Sequence, residues 1–410
     1  MKKGILLLIV LTTSFSLYAR NGKLKTGADL LFSKYFSLIK GKNIGLITNH
    51  TGLLSDGRHL ADVLHENKEV HLVALFGPEH GVRGDTTGAV IDAVDKKTGI
   101  PAYSLYGKTY KPTAQMLKGV DILIYDIQDV GARFYTYIST LGHVMEAAAE
   151  NNIPIIVLDR PNPLRGLRSD GFVTEDTMKS FVAFGKIPVE HGMTVGEIAM
   201  LYNGEGMLKD GKKADLKVIK MEGWKRNKWF DQTGLKWVKT SPNLPYLESA
   251  VVYPGTCFFE GVNISEGRGT DKPFQYVGAP WIDNQRALEL LKSKKLKGVE
   301  LKAVEFTPTL RANNAHPPKY NNQVCKGLYL DIKDRNSFEP VKAGICMLWA
   351  FKQTNSDSLK WRPQTLDKLA ATPKLREMLD LGKSPEEIFA SWQGDLKKFQ
   401  KIRSKYLLYK

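Results

Sequence analysis

The chain has 410 residues, enough for two domains, because single hydrophobic cores stop growing at about 250–300 residues. Its 42% hydrophobic and 25% charged residues are those of an ordinary soluble globular protein, with no internal repeats and no low-complexity linker. The net charge of +16 comes from scattered lysines without a nucleic-acid motif, so the expected partners are not nucleic acids; outside the cytoplasm a basic surface suits polyanionic wall polymers or membrane surfaces.

The N-terminus reads as a signal peptide over residues 1–19. Met1-Lys2-Lys3 precedes an apolar run from Ile5 to Leu11, and Ala19 supplies the small residue of a cleavage point. That run is too short to span a bilayer, which needs roughly 20 apolar residues. No other segment qualifies as a span, and no cysteine near Ala19 offers a lipid anchor. An exported protein, periplasmic or extracellular and without stable membrane insertion, is the expectation.

From Lys42 to Asp159 strands alternate with helices. Ile44–Thr48 is the first predicted strand, Leu60–His65 a helix, Val70–Phe76 the second strand and Val120–Tyr125 the third. A helix over Thr140–Asn151 and a strand over Ile153–Leu158 complete the series. Continuous apolar strands separated by amphipathic helices predict an α/β, mostly parallel sheet covered on both faces. Each strand hands over to a polar loop: Asn49-His50, Glu79-His80, Asp126 to Asp129 with Arg133, and Asp159-Arg160 with Asn162. In a parallel sheet these loops share one edge, where open α/β sheets bind their ligands.

The second half reads as α+β. Glu190-His191-Gly192-Met193-Thr194 leads into a helix over Val195–Tyr202, with strand-like pieces around Leu216–Ile219 and Leu301–Phe306. A loop-rich stretch from Ser241 runs into Tyr253-Pro254-Gly255-Thr256, followed by a glycine-rich polar segment from Glu260 to Thr270. A basic helical C-terminus, Ser384–Tyr409, offers Ile388, Trp392, Phe399 and Tyr406 to a core. The cysteines Cys257, Cys325 and Cys346 lie far apart without C-x-x-C spacing and read as buried free thiols. Neither they nor the eight histidines show metal-ligand spacing, so no metal is expected.

Three chemistries compete for such a rim. Dinucleotide binding needs G-x-G-x-x-G after a strand, and the chain offers only Asn49-His50-Thr51-Gly52 after the first, so no cofactor is expected. Serine hydrolysis finds no G-x-S-x-G elbow. The matches Ser37–Lys40 to S-x-x-K and Lys97–Gly99 to K-T-G are short, and Ser37 precedes the first strand instead of following one. Glycoside hydrolysis asks for a protonated acid beside the leaving oxygen and a second group that activates water, attacks C1 or positions the substrate's acetamide. Glu79, in the rigid turn Gly77-Pro78-Glu79-His80-Gly81, is the preferred acid. Asp126 and Asp129 stand first for the second role, with Glu190, Glu260 and Glu266 behind. Arg133, Arg160 and Arg268 suit a carboxylate substituent, where the guanidinium fork binds bidentately.

Those blocks carry a resemblance. Gly77–Gly81, Asp126–Thr136 and Leu158–Pro163, with Glu190–Thr194 and Glu260–Thr270, resemble the signature segments of the exo-β-N-acetylmuramidases of the NamZ type, glycoside hydrolase family 171. The likeness runs from about Lys42 to the C-terminus. It implies a Rossmann-like domain, set at 20–185, a smaller domain, set at 186–410, and a cleft between them. It further implies release of terminal N-acetylmuramic acid from the non-reducing end of peptidoglycan fragments, with Glu79 as the catalytic glutamate. The expected catalytic set is Glu79, His80, Asp126 and Asp129. The expected substrate contacts are Asn49, Arg83, Gln128, Arg133, Tyr135, Asp159, Arg160, Asn162, His191, Asn263, Glu266 and Arg268. The rival expectation is a non-catalytic muropeptide or wall-sugar binding protein, which would keep the cleft arginines and need no poised acid.

Overall fold

The computed structural model describes residues 24–84, 92–311 and 317–410. The predicted signal peptide and its cleavage point at Ala19 lie outside the described residues. In chain order the first unit runs α1 (Gly27–Lys34), β1 (Asn43–Thr48), α2 (Leu60–Glu66), β2 (His71–Gly77), β3 (Ala93–Val94), β4 (Pro101–Ser104), β5 (Ile122–Asp126), α3 (Tyr137–Asn151) and β6 (Ile155–Leu158). A two-stranded β7 (Asp170–Val173) and β8 (Pro188–Glu190) follows, then α4 (Val195–Gly204) and β9 (Leu216–Ile219).

Seven of these strands form one sheet in the order β3-β4-β2-β1-β5-β6-β9. All neighbours are parallel except the antiparallel edge pair β3 and β4. The continuous burial that the apolar runs predict has a plain cause, because both faces are covered. Leu30 and Leu31 of α1 and Leu60 and Leu64 of α2 pack with Ile44, Leu46 and Ile124 on one side. Leu141, Val144 and Met145 of α3 and Ile198 and Leu201 of α4 pack with Ile47, Leu123 and Val157 on the other. The sheet takes its last strand, β9, from beyond residue 185, so the boundary suggested there falls inside the first unit. The C-terminal tail also returns to this unit, where Tyr409 donates its hydroxyl to Asp159.

The second unit contains α5 (Leu247–Thr256), β10 (Tyr276–Ala279), α6 (Asn284–Lys292), β11 (Val299–Phe306), β12 (Cys325–Ile332) and α7 (Pro340–Thr354). Its three strands are antiparallel in the order β10-β12-β11. Four further helices follow, α8 (Pro363–Ala370), α9 (Lys374–Asp380), α10 (Pro385–Ser391) and α11 (Gln393–Arg403), of which α10 packs on α7 and α11 on β7 of the first unit. There Trp392 rests edge-on against Phe172, ring centroids 4.9 Å apart.

Tyr253-Pro254-Gly255-Thr256 is helical, as the end of α5, and not the loop that its Pro and Gly suggest. Tertiary packing overrides the local preference here. A Cβ on Gly255 would lie 1.8 Å from the Pro340 carbonyl oxygen, and one on Gly344 2.1 Å from the Gly255 oxygen. The two glycines let α5 and α7 touch backbone to backbone. Cys257, Cys325 and Cys346 are buried free thiols, as expected. Among the described residues no helix is long and apolar enough to cross a membrane.

Candidate active site

The parallel pairing of β2 and β4 builds the centre of the site. Gly77 and Ser104 are partners in register, and the Leu105 N–H donates to the Gly77 oxygen at 2.8 Å. Beyond Gly77 the chain folds back at once. A Cβ at Gly77 would stand 2.8 Å from the Val82 nitrogen, so only glycine fits, and the Gly81 N–H closes the turn on the Pro78 oxygen at 2.9 Å. His80 and Gly81 both occupy the left-handed region, φ 74° and 73°. A histidine there is held at a local cost that the rest of the turn must offset.

Two residues past β4, Tyr106 hydrogen-bonds the carboxyl group of Glu79. Burial pushes the Glu79 pKa above the ordinary glutamate value; the Tyr106 hydroxyl and Arg268 oppose this, while the negative charge of Glu260 adds to it. Glu79 is therefore biased toward its protonated form, the state a general acid needs. The charge of Glu79 is also felt by Tyr135 and Tyr137, buried phenols whose pKa values rise chiefly through burial. Their rings meet edge to face at 4.7 Å, and the Tyr137 hydroxyl donates to the Thr240 oxygen at 2.9 Å.

The charges that act on Glu79 come from the second unit. Arg268 bonds Glu260 through Nη2 at 2.5 Å and lies 3.1 Å from Glu266 through Nε. Glu266 in turn accepts from Lys319 Nζ at 2.9 Å, and that ammonium also donates to the Phe259 and Ile264 oxygens. Burial pushes Glu266 up, but Lys319 and Arg268 beside it outweigh this and hold its carboxyl below the usual range. Two carboxylates thus aim one guanidinium at the Glu79 neighbourhood.

The remaining predicted residues are largely engaged by the protein itself, although Asn49 Nδ2, Asp129 Oδ1 and His191 Nε2 are buried without a hydrogen-bond partner among the described residues. Arg160 donates to both oxygens of Asp126, at 2.6 and 2.8 Å, and to the Leu53 oxygen at 2.9 Å, in a buried pair. Asp159 accepts from the Arg160 and Gly196 N–H groups and from the Thr194 and Tyr409 hydroxyls; burial nevertheless raises its pKa to about 7. Asp129 accepts from the Gly131 N–H at 2.7 Å and lies 3.3 Å from Nε2 of His191. His191 accepts from the Met193 N–H through Nδ1, which leaves the proton of its neutral ring on Nε2, facing Asp129.

Arg133 is a correction to the expected substrate contacts. It has no exposed surface, and its guanidinium donates to the Phe172, Ile187 and Leu369 carbonyls at 2.7, 3.0 and 2.7 Å, with its pKa lowered by burial to about 9. Arg83 likewise binds Asp95 and Asp62, at 2.8–2.9 Å. Gln128 ties the Asp129 and Pro161 oxygens, Asn162 the Met193 oxygen and the Leu164 N–H, and Asn263 the Ser358 oxygen and the Lys360 N–H. Asn49 accepts from the Thr51 N–H and hydroxyl. Of the expected set, the structure brings Glu79, Tyr135 and Arg268 together, with Glu266 behind Arg268.

Tyr106 escapes a reading by sequence because β4 is only four residues long, starts with proline and lacks an apolar run. Recognising Pro101–Ser104 as a strand would have placed Tyr106 on the same edge as Glu79. Among the described residues no group of three or more His, Cys, Asp or Glu side chains is placed to hold a metal ion.

Comparison with known proteins agrees with this architecture. Residues 44–248 match the family model of the N-terminal part of exo-beta-N-acetylmuramidase NamZ, and residues 251–409 that of its C-terminal part. The chain is 47% identical over 394 residues to the peptidoglycan beta-N-acetylmuramidase NamZ of Bacillus subtilis (strain 168), covering 95% of this chain and 92% of the relative. Two crystal structures of DUF1343 family proteins from Bacteroides fragilis NCTC 9343 share the fold, with TM-scores of 0.87 and 0.78 at 39% and 35% identity. Each covers 95% of this chain and 99% of its own. With both family models matched across nearly all of the described chain, the protein belongs to the exo-β-N-acetylmuramidase NamZ family and is a glycoside hydrolase.

Proposed function

We propose that the protein removes terminal N-acetylmuramic acid from the non-reducing end of peptidoglycan fragments such as MurNAc-GlcNAc, with Glu79 as the general acid. The observation that carries this reading is the setting of Glu79. Burial raises its pKa while it accepts from the neutral phenol of Tyr106 and feels the charges of Arg268 and Glu260; Asp159, the other rim carboxyl whose pKa burial raises, is instead held by four protein donors. In this reading Glu79 gives its proton to the glycosidic oxygen as the C1–O bond breaks, and water adds at C1.

Glu260, one of whose oxygens accepts from Arg268, suits the second carboxylate's role better than Asp126, both of whose oxygens Arg160 holds; Asp129, whose Oδ1 has no hydrogen-bond partner among the described residues, is the other candidate. Arg268, anchored through Nε and Nη2, makes no hydrogen bond through Nη1 among the described residues and has the chemistry to meet the lactyl carboxylate. Such fragments are met outside the cytoplasm, which agrees with a signal peptide ending near Ala19; the mass of the N-terminal peptide of exported protein checks the cleavage.

The test is release of free N-acetylmuramic acid from MurNAc-GlcNAc by the protein truncated after Ala19, beside its Glu79→Gln variant. The expected result is turnover by the first and a loss of about 10²–10⁴ in kcat by the second. Full turnover by Glu79→Gln would remove Glu79 from the acid's role. Binding without turnover in both would leave a wall-sugar binding protein.

A further inference from the structure

A pocket of about 160 Å³ opens beside the Glu79 cluster, between residues 239–246 on one side and residues 269–273 with Arg311 on the other. Both walls are continuous with the site. Thr240, next to Lys239, accepts the Tyr137 hydroxyl, and Arg268, next to Gly269, is the cation facing Glu79. The Lys239 backbone oxygen is itself within 2.7 Å of Nε2 of His50, on the loop after β1, so this wall is pinned to the carboxyl edge of the sheet.

The pocket's chemistry is specific. Lys239 and Arg311 are exposed and have no carboxylate partner among the described residues, against one acidic side chain, Asp271, in the same lining. Tyr246 is 54% exposed at the rim, between Pro245 and a buried helix start, and its ring is a flat apolar platform with a polar end. The far wall cannot be rebuilt casually. Gly269 has φ 81°, and a Cβ there would stand 2.5 Å from the Thr309 oxygen. Lys239 and Arg311 here stand beside an aromatic face and next to the Glu79 site.

We infer that this pocket is the leaving-group side of the site, in which Tyr246 stacks on the sugar ring beyond the scissile bond and Lys239 and Arg311 bind a carboxylate carried farther along the fragment. This rests on the proposed function and adds to it a preference for substrates longer than a disaccharide. A carboxylate of this kind comes either from the lactyl group of the next muramic acid or from its peptide stem.

The experiment compares kcat/KM on an aryl β-N-acetylmuraminide, which has no second sugar, on MurNAc-GlcNAc, and on MurNAc-GlcNAc-MurNAc with and without a peptide stem. Lys239→Ala with Arg311→Ala should lose at least tenfold more on the trisaccharides than on the aryl compound, and Tyr246→Ala should lose more on every sugar-bearing substrate than on the aryl compound. A loss on the bare trisaccharide assigns the lactyl group; a loss confined to the stem-bearing one assigns the peptide. Equal losses on all substrates, or none, would overturn the pocket's role. Binding of the same trisaccharides to Glu79→Gln protein, with and without Arg311→Ala, reads the contact independently of turnover. A protein that hydrolysed nothing would sink the proposed activity while this measurement still decided the pocket: at least tenfold weaker binding supports it, and unchanged binding refutes it.

Discussion

Two stretches of the same sheet edge use the same residue types for different ends. After β5 and β6, Asp126, Asp159, Arg160 and Asn162 hand nearly all of their hydrogen-bonding capacity to the protein. After β2 and β4, Glu79 has among the described residues one neutral donor, Tyr106, and feels the charges of Arg268 and Glu260 without a direct ion pair. A polar residue at a strand end is thus chemical only when the fold leaves its capacity open. Buried polar groups must be satisfied, and for Asp126, Asp159, Arg160 and Asn162 the protein itself does so.

The largest effect that tests this contrast is a swap of phenotypes. Glu79→Gln should lose activity by the orders of magnitude given above while its denaturation midpoint stays near the parent's. Asp126→Ala strands Arg160 as an unpaired buried cation and should lower stability by about 3–5 kcal/mol, measured by urea unfolding. If Asp126→Ala instead kept its stability and lost turnover, the two stretches would not differ as described.

A smaller effect sharpens the catalytic half through pH. The acid works protonated, so kcat/KM should fall as pH rises through the elevated Glu79 pKa. The Tyr106 hydrogen bond lowers that pKa and the Glu260 charge raises it. Tyr106→Phe should therefore move the alkaline limb to higher pH, and Glu260→Gln should move it lower. Shifts of the same sign in both variants would mean that another group sets the limb.

The smallest effect probes the structural half. Tyr409→Phe removes a donor that lowers the Asp159 pKa, so the folded carboxyl becomes harder to ionise. The lost stability, about 1 kcal/mol, should be present at pH 8, where the folded Asp159 is ionised. It should fade at pH 5, below the folded pKa of about 7, where the carboxyl is protonated with or without the tyrosine. A deficit that does not change between these pH values would place the tail's contribution in packing alone.

Much of this was legible in the chain. The four runs Ile44–Thr48, Val70–Phe76, Val120–Tyr125 and Ile153–Leu158 could only be central parallel strands, because no other ordinary element is apolar on both faces over so short a length. Their polar ends then had to share an edge, and Glu79 stood out there because Gly77 and Gly81 permit a turn that other residues would block. What stayed hidden depends on partners far away in sequence. Arg133 looks like a substrate fork until Leu369, more than two hundred residues on, supplies one of its three carbonyls. The helical end of α5 depends on contact with Gly344, and the pairing of Arg268 with Glu260 beside Glu79 depends on how the second unit meets the first. Sequence periodicity reports which face of an element is buried, a local property. Which polar groups end up satisfied is a property of three-dimensional neighbours, and the tertiary structure alone decided that Glu79 would be left protonatable while Asp126 would not be left free.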